Sequence, residues 1–77
     1  MEIAIIPKNA GERIQVDLFE YKGHDLLGVR VYANTGAEWV PTRKGITVRV
    51  GLIPELAQAM LKAKSKAEEI GMLDPTD

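Results

Sequence analysis

The sequence contains no cysteine, which excludes disulfides, thiolate metal sites and a cysteine nucleophile. It has one histidine, His24, too few for a histidine metal cluster, and one serine, Ser65, set among lysines. No Walker or dinucleotide-type glycine loop occurs, since Lys44-Gly45 alone is only a fragment of one. The acidic residues are scattered, and Glu68-Glu69 reads as a solvated helix end. Neither an enzyme nor a cofactor is expected. No apolar run is long enough to span a membrane. Met1 to Ile6 is too short for the apolar core of a signal peptide, and no basic segment precedes it. The expectation is a complete, soluble, intracellular chain.

Aromatic residues are scarce as well: Phe19, Tyr21, Tyr32 and Trp39 are all there are. Net charge is −1, which does not by itself announce a nucleic acid. The distribution says more. Residues 21–50 hold Lys22, Arg30, Arg43, Lys44 and Arg49 against Asp25 and Glu38, whereas both flanking segments are net acidic. Positive charge and rings therefore share the middle third of the chain.

Seventy-seven residues make one domain, read here as 1–73 with a loose tail at 74–77. A chain this short buries a modest core, and without disulfide or metal its natural support is self-association. Residues 2–6 favour a strand, broken from Pro7 to Gly11. From Glu12 to Tyr21, Ile14, Val16 and Leu18 alternate with Gln15, Asp17, Phe19 and Tyr21. Lys22-Gly23-His24-Asp25 reads as a hairpin turn. A third strand, Leu26 to Ala33, puts Leu27, Val29 and Val31 on one face and Gly28, Arg30 and Tyr32 on the other. After a turn at Asn34 to Gly36, a fourth runs from Glu38 to Val50. Pro41 and Gly45 within it mark an edge position or a bulge.

Pro54 and Glu55 suit the first turn of a helix from 54 to 70, with Gly71 as its C-terminal cap. Leu56, Met60, Ala63, Ala67 and Ile70 form its apolar stripe. Met60, Ala63, Ala67 and Ile70 are candidate dimer contacts; packing back on the sheet is the competing use of the same stripe. The expected architecture is α+β: a four-stranded twisted antiparallel sheet and one long C-terminal helix (ββββα), dimeric. The helix covers one sheet face and leaves the other open.

That open face carries rings and cations on β-structure, the arrangement a single-stranded nucleic acid uses: bases stack on rings and phosphates meet cations. Packing at an edge or dimer seam is the competing account of the rings. Duplex readers of the helix-turn-helix or zinc-finger kind need a second helix or metal ligands, and both are missing from this pattern.

Three segments go further. Tyr21-Lys22-Gly23-His24, then Leu26 to Tyr32, then Pro41-Thr42-Arg43-Lys44-Gly45-Ile46 resemble, in order and spacing, the single-stranded-DNA-binding domain of the transcriptional coactivator family typified by positive cofactor 4. The resemblance spans about residues 13–61. It implies a homodimer whose helices meet and whose two sheets form paired channels for single strands. It implies little sequence specificity and a role in transcription, with its machinery, or in genome maintenance. By position Tyr21 would be a stacking ring, and Lys22, Arg30, Arg43 and Lys44 backbone contacts, beside Tyr32. His24 falls where the family has another lysine. The family's tryptophan after Arg-x-Tyr is Ala33 here, and Trp39 across the turn is the candidate replacement. The segment 49–53 before the helix is longer than usual. The long N-terminal region of animal members is missing, which fits a compact bacterial nucleoid-associated or phage member in a cytoplasm; a eukaryotic member would be nuclear. Two alternatives remain: a protein-docking module, for instance for a polymerase subunit, and a single-stranded RNA binder.

Overall fold

Four segments with a two-residue period pair in chain order in the computed structural model, which describes residues 1–74. They are β1 (Glu2–Asn9), β2 (Glu12–Tyr21), β3 (His24–Asn34) and β4 (Trp39–Arg49), an open antiparallel sheet with β1 and β4 at its edges. A 3-10 turn, Val50–Leu52, leads into the helix α1 (Ile53–Glu69). This is the expected ββββα order. Of the tail expected at 74–77, residues 75–77 lie outside the described residues.

Two boundaries differ from expectation by more than one residue. The first strand does not break at Pro7 but continues to Asn9, because an edge strand tolerates a residue that lacks an N–H. The hairpin turn is tighter than Lys22 to Asp25. Lys22 and Gly23 alone form it, at φ 51° and 78°, the left-handed pair that suits a two-residue hairpin. His24 and Asp25 already belong to β3, opposite Tyr21 and Glu20.

Register sorts the side chains. Ile14, Val16 and Leu18 stand opposite Val31, Val29 and Leu27, and Val29 and Leu27 stand opposite Ile46 and Val48. Ala4 and Ile6 extend this apolar set onto β1. Opposed residues share a face, so one side of the sheet is almost wholly aliphatic. Leu27, at its centre, is the one large apolar side chain among the described residues that is buried, at 8% exposure; Ile6 and Ile46 remain about half exposed.

The expected cover for that face is missing among the described residues. The helix meets the sheet only near its start, where Leu52, Glu55 and Leu56 flank Val48. Beyond that it projects with Met60 at 57% and Ile70 at 54% exposure. It ends as expected at Gly71, φ 81°: Gly71 N–H donates to the Glu68 carbonyl and Met72 N–H to the Ala67 carbonyl. That pair of bonds satisfies carbonyls the helix end would leave unpaired. The radius of gyration is 14.7 Å, against about 11.5 Å for a compact chain of this length.

Candidate nucleic-acid interface

The other sheet face collects all four aromatics. Phe19 and Tyr21 lie on β2, Tyr32 on β3, and Trp39 pairs with Asn34, two residues on from Tyr32 and on the same side. Gly28 is buried beneath the Phe19 ring. A Cβ there would lie 3.1 Å from Phe19 Cε1, so the bare backbone is the floor on which the ring rests. A shallow groove of about 360 Å³ opens over this floor, lined by Phe19, Gly28, Arg30, Tyr32, Pro41 and Asp17 among others.

The Pro41 to Ile46 motif has a physical explanation. Between the pairs Arg30–Gly45 and Tyr32–Pro41, one residue of β3, Val31, faces three of β4. The surplus bulges outward. Thr42 staples it: its hydroxyl donates to the Val31 carbonyl (2.7 Å) and accepts from Lys44 N–H (3.2 Å). Arg30 reaches across, donating through Nη1 to the Thr42 carbonyl (3.0 Å) and through Nη2 to the Thr47 hydroxyl (3.2 Å). A guanidinium has five N–H donors, so Arg30 retains others for a ligand at the groove edge. Gly45 is where the strands approach too closely for a side chain.

The predicted site residues divide into those that the sheet assembles and those at its margins. Arg30 and Tyr32 line the groove. Tyr21 stands at the hairpin end opposite His24, with the Lys22 ammonium 5.4 Å from its ring centroid. Trp39 lies at the far end of the same face. Arg43 rides the bulge, exposed, with no hydrogen bond or ion pair among the described residues. Lys44 turns aside to Glu12, 3.8 Å away, though it stays 71% exposed. The Asn9 amide (3.1 Å) and then the Lys8 ammonium (3.4 Å) hold the Glu12 carboxyl below the usual carboxylate range. Asp17 places one carboxylate in the groove, 3.4 Å from the Gln15 amide nitrogen. Within the groove a carboxylate thus stands at Asp17 and a guanidinium at Arg30.

Two residues on this face escaped the sequence-based site. Phe19 reads as off-core in the sequence, yet the groove is built on it. Arg13 carries only a weak sequence signal. It lies opposite Tyr32, its guanidinium 4.5 Å from the Trp39 ring centroid. Its position one residue before the apolar alternation could have revealed the face it shares. Among the described residues, no three metal-ligating side chains form a group, and no helix is long and apolar enough to cross a membrane.

Comparison with known proteins agrees with this geometry. The family model for Transcriptional Coactivator p15 (PC4) matches residues 8–59. The chain belongs to the PC4 family. The match takes in every residue of the aromatic face except those of early β1, and it ends before Met60. Among solved structures, BPSL1147, a PC4 homolog from Burkholderia pseudomallei, is 32% identical in two crystal forms, with a TM-score of 0.77 in each. The alignment covers 83% of this chain and 88% or 96% of that one. A bacteriophage T5 homolog of the eukaryotic coactivator PC4, implicated in recombination-dependent DNA replication, shares the fold at 22% identity. Its TM-score is 0.61, over 94% of this chain and 80% of its own. A search of curated proteins found no match.

Proposed function

We infer that this PC4-family protein binds single-stranded DNA across the aromatic face as a homodimer, without catalysis. The observation that carries the reading is the segregation of the two faces. Phe19, Tyr21, Tyr32 and Trp39 stand with Arg13 and Arg30 on one side, and aliphatic side chains on the other. Rings on an uncovered sheet face offer stacking worth roughly 1–3 kcal/mol per base. Arg30, Arg43 and Lys22 supply contacts for phosphates, with Lys44 and His24 at the margin. The biological setting that fits is transcription regulation or genome maintenance in a bacterial or phage-infected cell, alongside transcription machinery.

Fluorescence anisotropy with labelled oligo(dT) tests the reading. Binding at low salt that weakens as salt rises supports it; no binding to any single strand at low salt defeats it. Competition between matched DNA and RNA oligomers decides between a DNA and an RNA ligand, since stacking surfaces accept both.

Surface arithmetic supports the dimer. The protomer exposes 5994 Å², against about 4,700 Å² for a compact monomer of this mass. An excess of roughly 1,300 Å² per protomer is the scale of an obligate homodimer interface. The open aliphatic face and the stripe Met60, Ala63, Ala67 and Ile70 are what a second copy would cover. Light scattering should give twice the 8.5 kDa protomer mass, and Met60→Glu should shift the population to monomer. A monodisperse 8.5 kDa parent would rule the dimer out.

A further inference from the structure

We propose that Arg13 and Trp39 form a second stacking subsite at the far end of the aromatic face. One strand would then run from the Phe19 groove across Tyr32 to Trp39. This rests on the single-strand reading above but adds a contact, a positioning residue and a minimum ligand length.

Three observations meet here. First, the Arg13 guanidinium stacks on the indole, 4.5 Å from its centroid. A planar cation on a ring fixes its orientation and adds a second flat, charged surface beside it. Second, Arg13 is itself held in place: it donates from Nη2 to Gln15 Oε1 at 3.2 Å, and Gln15 in turn donates to Asp17. A polar ladder thus runs along β2 from the groove to the indole. The Arg13 Nε is buried without a hydrogen-bond partner among the described residues, so stacking on Trp39 rather than a full set of hydrogen bonds defines this side chain's position. Third, Tyr32 stands directly opposite Arg13 and also lines the groove, which leaves no gap between the two ends.

Distance sets the length requirement. Phe19 and Arg13 are six residues apart on β2, about 20 Å along the strand. Stacked nucleotides rise about 3.4 Å each, so about six steps, or about seven nucleotides, span the two ends. A longer oligomer engages both subsites as one ligand, and the second contact forms at high effective concentration.

Trp39 is the only tryptophan and reports on its own subsite. Titration of the wild-type protein with dT8 should quench or shift Trp39 emission in step with anisotropy. Trp39→Leu should weaken dT8 by about tenfold, the loss of roughly one stacked base, yet weaken dT3 by no more than about twofold, because the Phe19 end still takes it. Arg13→Lys keeps the charge and loses the plane; it should reduce the emission change on binding as well as dT8 affinity. If dT8 binds by anisotropy while Trp39 emission stays constant and Trp39→Leu binds like the parent, the subsite does not exist and the single-strand reading stands. If no oligomer binds at low salt, both fail together. The emission readout needs no variant, and it also separates this subsite from a long oligomer that merely bridges two protomers.

Discussion

Gly45→Ala should prevent folding or cost more than about 3 kcal/mol, while Gly51→Ala should be neutral or slightly stabilising. A Cβ at position 45 would lie 2.4 Å from the Val29 carbonyl oxygen and 2.7 Å from Arg30 Cα. Both are backbone atoms of the paired strand, so no side-chain rotation relieves the clash. The φ of 152° adds strain for any residue with a Cβ. The only escape is separation of β3 from β4, which removes the bulge and with it the display of Arg43 and the anchor of Arg30. Gly51 has neither problem: nothing lies within 4 Å of its Cβ position and its φ is not positive. Alanine there reduces the freedom of the unfolded chain. Urea denaturation followed by circular dichroism, at equal protein concentrations, compares the two. A Gly45→Ala variant as stable as its parent would show that β3 and β4 do not pair in this register.

Most of the fold was legible because β2 and β3 carry a clean alternation, and period two assigns faces before any coordinates exist. Ile14, Val16 and Leu18 fell on one side and Phe19 and Tyr21 on the other for that reason alone. The hairpin glycine, the proline at the helix start and Gly71 at its end have local causes, so they too were readable. Pro7 misled because a proline's effect depends on whether its strand is an edge, which only the completed sheet decides. The place of the helix misled for a related reason. An apolar stripe reads the same whether it is meant for its own sheet or for a second copy.

The candidate site divides along the same line. Arg30 and Tyr32 alternate within one strand, and their shared face could be read directly. Arg13 meets Trp39 only because β2, β3 and β4 lie side by side with Asn34 opposite Trp39, a contact across 26 positions that no local pattern encodes. Lys44 shows the reverse failure. Adjacent to Arg43 in sequence, it looked equivalent, but the bulge sends the two side chains to different surroundings.

That difference is measurable. Arg43→Ala should lower oligo(dT) affinity by about tenfold, as expected for one charge-assisted phosphate contact. It should also make the slope of log affinity against log salt shallower by about 0.7. Lys44→Ala should do markedly less on both counts. Arg43 is unpaired among the described residues, whereas Lys44 sits 3.8 Å from Glu12, a carboxylate that Asn9 and Lys8 keep ionised down to acidic pH. The pair is exposed, so it adds little to stability; its consequence is for binding, since a phosphate must compete with Glu12 for the ammonium and is repelled by the carboxylate. Glu12→Gln then has a definite sign. It frees Lys44, raises affinity and steepens the salt dependence, and in that background Lys44→Ala should regain the full effect of Arg43→Ala. Equal losses for the two single variants in the wild-type background would mean that the ligand draws Lys44 off Glu12 at no net cost. The bulge would then present two equivalent cations rather than one.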